Sequence, residues 1–294
     1  MVYLNWFRLP DVAAESLFLA GSRENKHTCY QSRYPFGIFL NRELPQLEFE
    51  PVTIFCGGNG SGKTTLLNLI GEKLGLERSA VFNRSSFFED YLKLCREETA
   101  SAFTRQVRSN SRVITSDDVF DYLLDLRCMN EGIDHKRREL LEEYTDARYA
   151  NFRMRSLDDV DRLRQVVEAQ RGTASRYVNR QLMKDVPGQS NGESAFLYFT
   201  RKIQEGGLYL LDEPENSLGP GLQLELLRFL EDSARFYRCQ FIISTHSPFL
   251  LSMKGARIYD LDARPVAQCR WTELEHVQAY YRFFRERQGE FQEK

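Results

Sequence analysis

The sequence predicts an α/β fold built around a parallel sheet, and three observations carry that expectation. A glycine-rich loop, Gly57–Thr64, follows the β-rich apolar run Pro51–Cys56 and leads into Lys63–Leu74, which has helical spacing. Two more apolar runs, Leu208–Leu211 and Phe241–Ser244, each end in polar residues. Between those two runs lies an amphipathic stretch, Leu222–Leu230. Strands that alternate with helices need crossover connections, and crossovers make the sheet parallel.

Each element follows from its own pattern. Residues 1–50 hold short aromatic and aliphatic runs broken by turn formers, such as Phe36–Leu40 and Leu47–Phe49. They read as short antiparallel strands, an N-terminal β subdomain. After the loop, Leu66, Leu67, Ile70 and Leu74 recur at helical spacing. From about Phe82 to Pro187 the chain is charged, glycine-poor and helical in period, as at Val119, Tyr122, Leu123 and Leu126, or Leu140, Leu141 and Tyr144. Arg96–Asp185 carries 17 Lys/Arg against 17 Asp/Glu, which fits a solvated helical insertion. Its apolar spacing holds no heptad register, so a long coiled coil is not expected. The core resumes after Gly188 with a helix over Ala195–Ile203, the two apolar strands, a late strand at Ile258–Leu261 and a closing helix over Glu273–Arg287. The expected division is 1–85 for the β lobe and first part of the core, 86–187 for the insertion or lid, and 188–294 for the rest of the core.

Composition narrows the function classes. Hydrophobic content of 42% and charged content of 28% are those of a globular protein, and a net charge of −2 gives no general pull toward nucleic acid or anionic membrane. The six cysteines, Cys29, Cys56, Cys95, Cys128, Cys239 and Cys269, are scattered without a zinc-ligand spacing, which fits a reducing compartment. Met1–Pro10 lacks the basic start and apolar run of a signal peptide, and no apolar stretch reaches membrane-spanning length. The expected location is the cytoplasm.

Four motifs carry chemistry. Gly57, Gly58, Asn59, Gly60, Ser61, Gly62, Lys63 and Thr64 fit the pattern G-x-x-x-x-G-K-[ST]. Glycines let the backbone turn its N–H groups onto phosphates, Lys63 adds a point charge, and Thr64 offers a hydroxyl to magnesium. Thr65 opens the following helix, whose positive end faces the same anion. Leu208–Leu211 runs into Asp212 and Glu213. Asp212 is the candidate metal ligand, and Glu213 the candidate general base that polarises the attacking water. Phe241–Ser244 ends near His246, at the strand end where open α/β sheets bind ligands. His27, His135 and His276 lack such a context and read as surface residues. Ser190, Gly192 and Glu193 open an apolar helix, as either a further anion site or an ordinary N-cap.

In this order the four elements resemble the ABC-type P-loop ATPases, the superfamily of transporter nucleotide-binding domains, chromosome-maintenance proteins and RecF-like repair proteins. Gly57–Thr64 looks like Walker A, Leu208–Glu213 like Walker B, His246 like the switch histidine, and Asn216-Ser217-Leu218 like the D-loop. Ser190-Asn-Gly192-Glu193 looks like a degenerate signature motif. More narrowly, Tyr34-Pro-Phe36, Gly188–Ser194, Leu210–Glu215 and Ser244–Pro248 are similar to the small stand-alone bacterial AAA/ABC-like ATP-binding proteins. The resemblance implies ATP and Mg²⁺ as ligands and ATP hydrolysis as the activity. It also implies a head-to-tail homodimer, in which Ser190 and Gly192 act on the partner's nucleotide. The superfamily's glutamine between Walker A and signature is missing; Ala80–Ser86 offers Asn83, Ser85 and Ser86 instead. Tyr34 is the candidate adenine-stacking aromatic, with a core tyrosine as the alternative.

The first expectation for function is an ATPase whose dimerisation drives a protein or nucleic-acid partner, in repair or anti-phage defence. Arg148–Lys184, with nine Lys/Arg against four Asp/Glu and interleaved Tyr149, Phe152 and Tyr177, is the stretch that would meet nucleic acid; a solvated helix face is the simpler reading. A nucleotide-binding subunit of a membrane transporter and a low-turnover ATP switch are the alternatives.

Overall fold

The computed structural model describes residues 1–21, 32–40, 42–44, 46–150, 160–181 and 190–292. His27, Cys29, Phe152, Lys184, Pro187 and Gly188 lie outside them. The chain opens with β1 (Leu4–Arg8) and α1 (Val12–Gly21), then β2 (Leu47–Glu48), β3 (Val52–Cys56), α2 (Lys63–Leu74) and α3 (Phe88–Leu94). Next come β4 (Arg96–Thr99), α4 (Arg105–Asn110), β5 (Arg112–Thr115), α5 (Ser116–Tyr149), α6 (Val160–Arg171) and α7 (Ala174–Gln181). The C-terminal part holds α8 (Asn191–Lys202), β6 (Leu208–Asp212), α9 (Pro220–Phe236), β7 (Gln240–Ser244) and α10 (Pro248–Leu251). It closes with β8 (Arg257–Asp260), β9 (Ala267–Cys269) and α11 (Glu275–Glu286).

Two compact units result, one of Met1–Val119 with Asn191–Lys294 and the other of Phe120–Ser190. In the first, a six-stranded sheet runs β5-β6-β7-β3-β8-β9. All its pairings are parallel except that of β9, which is antiparallel to β8. Every residue of β3, β6 and β7 is buried, as expected for strands covered on both faces. The buried side chains of α2 pack on this sheet, and the approach is close: a Cβ on Gly71 would stand 2.7 Å from Val113 Cγ2. An antiparallel sheet, ordered β2-β1-β4, forms the expected β subdomain.

Gln240 stitches the two sheets together. Its buried side chain accepts from the N–H groups of Tyr3 (2.7 Å) and Leu4 (2.9 Å) and donates to the carbonyls of Leu4 (3.0 Å) and Glu50 (3.2 Å). An amide has one acceptor oxygen and two N–H donors, so this bridge uses its whole capacity.

Three expectations change. Phe36–Leu40 is a run of turns, with Phe36 N bonded to Arg33 O and Ile38 N to Pro35 O. Gly37 sits at φ 89°, and Phe36 and Phe39 turn into the core together, which an extended strand would not allow. The helical insertion does not begin at 86. Residues 88–119 belong to the first unit, because β4 pairs with β1 and β5 with β6. The segment 12–21, read with the β lobe, is helical.

The second unit has its own small core of Leu140, Tyr144, Ala169, Tyr177 and Val178. Tyr144 Oη donates to Gly172 O at 3.1 Å. Arg164, Arg171, Arg176 and Arg180 line a cavity of about 490 Å³ there, and Arg180 pairs with Glu168. Among the described residues no helix is long and apolar enough to cross a membrane.

Candidate active site

The fully buried β3 delivers the chain to Gly57 at the C-terminal edge of the sheet. The loop then needs backbone conformations that side chains disfavour. Gly57 has φ 154° and Gly62 φ 94°, and a Cβ at either would stand 2.8 Å from Ser61 Oγ or Phe39 Cε1, respectively. Asn59, Gly60 and Thr64 are exposed, while Ser61, Lys63 and Thr65 are buried. The buried Lys63 ammonium donates to Gly57 O (2.8 Å) and Gly58 O (3.2 Å). From outside the loop, Gly58 N donates to Asp262 Oδ2, and Arg42 donates to Leu261 O and Gly60 O. Neither Arg42 nor Asp262 belongs to a local motif; each reaches the loop only through the fold.

β6 and β7 bring the other candidates to the same edge. His246 Nε2 lies 2.8 Å from Lys63 Nζ. An ammonium has only donors, so the imidazole nitrogen is the acceptor in this contact. The same nitrogen is 3.7 Å from Glu213 Oε1. Lys63, His246 and Glu213 therefore meet, as their order along the sheet predicts. Glu213 follows the end of β6 at φ 48°, a left-handed conformation uncommon for a non-glycine residue. Its backbone N–H is tied to Ser244 O at 2.9 Å, which helps hold the strained residue in place.

Asp212 is 9% exposed, and its Oδ1 has no hydrogen-bond partner among the described residues. Burial raises its carboxyl above the ordinary value, while the Thr64 and Ser244 hydroxyls and Lys63 pull it back. A buried, unpaired carboxylate oxygen beside a threonine hydroxyl fits a divalent cation that keeps several waters and arrives with phosphate. Among the described residues no group of three or more His, Cys, Asp and Glu could hold a metal by itself. Thr64 and Asp212 fit the expected magnesium.

Sequence reasoning passed over several residues here. Glu215 Oε1 accepts from the N–H groups of His246 (2.7 Å) and Ser247 (3.2 Å), fixing the turn that carries the histidine. Burial raises its pKa as well. Its place two residues after Glu213 was visible; its reach to β7 was not. His276 is partly buried, with its ring 6.4 Å from that of His246 and a lowered pKa caused first by burial and then by His246. It is not a surface residue. His135 is exposed and pairs with Glu139. A cavity of about 820 Å³ adjoins Glu213 and His246, and its far wall is Trp271, Tyr280, Tyr281 and Phe284.

The remaining candidates sit as follows. Ser190 is exposed, and Gly192 packs against Ser217 O, on the turn after β6, and Leu222 of α9, rather than against the phosphate loop. Glu193 lies in the first turn of α8. Tyr34 Oη donates to Thr65 Oγ1 at 3.2 Å, and its ring stacks near Phe88 with centroids 6.1 Å apart. It is placed at the start of α2 with one side occupied by another aromatic ring.

Residues 36–184 match a family model described as "AAA domain", and residues 185–252 match one described as "AAA domain, putative AbiEii toxin, Type IV TA system". No curated protein matches the chain. Among solved structures, a Smc head domain from Pyrococcus furiosus, bound to the C-terminal domain of ScpA, is 14% identical with a TM-score of 0.44, over 96% of this chain and 100% of that one. A dimeric ATP-binding cassette bound to ADP and Pi is 15% identical with a TM-score of 0.36, over 77% of this chain and 88% of that one. The first family model spans half of the sequence, and the chain belongs to the AAA-domain family.

Proposed function

We propose that the chain binds ATP with Mg²⁺ at Gly57–Thr64 and hydrolyses it to ADP and phosphate. The convergence of Lys63, His246 and Glu213 within contact distance, beside Thr64 and Asp212, carries this reading. Glycine N–H groups and Lys63 hold the phosphates, and Thr64 and Asp212 would hold the metal, which would supply positive charge to offset that of the phosphates. Glu213 takes a proton from the water that attacks the γ-phosphorus, the bond to the bridging oxygen breaks, and ADP leaves. His246 sits where it can orient that water, since its ring nitrogen lies within reach of both the ammonium and the carboxylate.

In the same reading Ser190, Gly192 and Glu193 act in trans, closing over the nucleotide of a second copy. The packing of Gly192, in α8, against Ser217 O on the turn after β6 supports that role. Closure of two copies on ATP would then be the movement passed to a partner molecule. Glu213→Gln tests the chemistry. It should bind ATP as the wild type does and lower kcat by about a hundredfold or more. Wild-type turnover in that variant would remove Glu213 as the base.

A further inference from the structure

Arg78, four residues beyond α2, lines a cavity of about 680 Å³ together with Thr64, Thr65 and Asp212. Its guanidinium is held rather than solvated. Nε donates to Ala80 O at 2.7 Å, Nη1 donates to Asn68 Oδ1, and Cζ lies 4.3 Å from the centre of the Phe82 ring. Among the described residues, Nη2 makes no hydrogen bond and no carboxylate lies within ion-pair distance of the group. Neighbouring Arg84 differs, since it pairs with Glu72 at 2.5 Å and Glu89 at 3.5 Å.

Three acids lie close enough to act on Arg78 electrostatically, Asp118, Asp212 and Glu72, and Glu72 is paired with Arg84. Asp118 is already engaged: Oδ1 accepts from Ala80 N at 2.8 Å, and Oδ2 accepts from Thr115 N at 2.7 Å and Thr115 Oγ1 at 2.9 Å. Asp212 is the candidate magnesium ligand. A partly buried cation, fixed in place, with an open edge and no salt-bridge partner, is suited to an anion that arrives from solution.

We propose that Arg78 binds the terminal phosphate of the nucleotide, as a second fixed cation on the metal side of the site. This rests on the reading that Gly57–Thr64 holds ATP. A magnesium held by Thr64 and Asp212 would lie beside the phosphates, so a guanidinium that shares their cavity is placed toward the phosphate end of the nucleotide. The fork also distinguishes ATP from ADP, because only ATP presents the phosphate it reaches. Arg78 thus gives the loop its preference for the triphosphate.

Calorimetry with MgATP and MgADP tests this on wild type, Arg78→Ala, Arg78→Lys and Lys63→Ala. Arg78→Ala should weaken ATP by about tenfold or more, the scale of a lost charged hydrogen bond, while ADP changes less than about twofold. Arg78→Lys keeps the charge without the fork and should fall between wild type and alanine for ATP alone. If the alanine variant does not fold, the lysine variant is read by the same ATP-to-ADP ratio. An equal loss for both nucleotides, or no loss for either, overturns the assignment. Lys63→Ala separates the two readings: unchanged ATP affinity there would remove the loop assignment itself, whatever Arg78 does.

Discussion

Single residues at the sheet edge are arranged for a ligand at some expense of stability. Asp212 is the clearest case, a buried carboxyl whose pKa burial raises from its model-peptide value of 3.8. An acid with a raised folded-state pKa binds its proton more tightly when folded, so its contribution falls as pH rises from that ordinary value through the folded pKa. At neutral pH the charged form therefore works against the nucleotide-free fold. Asp212→Asn should raise the melting temperature of the protein without nucleotide. It should also reduce the stabilisation by MgATP, which for the wild type is about 2.7 kcal/mol at a hundred times Kd. Scanning fluorimetry with and without MgATP checks both signs, and a lower melting temperature in the free variant would show that the carboxylate stabilises the empty site. Glu213 makes a similar point through its backbone, since its φ of 48° is a cost borne at the residue assigned the chemistry.

At the scale of elements, the site depends on how strands are tied at their far ends. β7 carries His246 beyond its C-terminus and Gln240 at its start. That glutamine saturates four backbone groups of β1 and its neighbourhood with one buried amide. Gln240→Leu keeps similar bulk but leaves the Tyr3 and Leu4 N–H groups without partners. The loss should be about 3 kcal/mol or more, at 1–3 kcal/mol for each orphaned group. Urea unfolding should show a lower midpoint, and a change below about 1 kcal/mol would mean that water replaces the amide. Elements also set what the sequence disclosed. β3, β6 and β7 were legible because each is a continuous apolar run buried on both faces. β5 was not, because four residues, Arg112–Thr115, lie between helical patterns and find their partner strand in β6, far along the chain. β4 reads Arg-Glu-Glu-Thr, with no apolar alternation to mark it, and pairs with β1 across the same kind of distance.

For the whole molecule, the reading of Ser190, Gly192 and Glu193 as a trans-acting group makes assembly part of catalysis. Glu213→Gln with MgATP should sediment as a dimer, whereas Lys63→Ala should remain a monomer under the same conditions. A Glu213→Gln protein that stays monomeric with saturating nucleotide would confine the site to one chain. Of the two compact units, the first holds the phosphate loop, and the second, with its own core around Tyr144 and Tyr177, begins within α5.

The sequence by itself determined the parallel α/β core, the phosphate loop, the Asp212-Glu213 strand end and His246. Each is a contiguous pattern whose chemistry is local, so nearest neighbours in the chain suffice to recognise it. Tertiary structure decided which side chains complete the site. Glu215 clamping the His246 turn, Arg42 and Asp262 bracing the loop, His276 behind His246 and Arg78 facing Asp212 all act across long stretches of chain. No spacing rule announces such contacts, because they exist only once strands far apart in sequence lie side by side in one sheet.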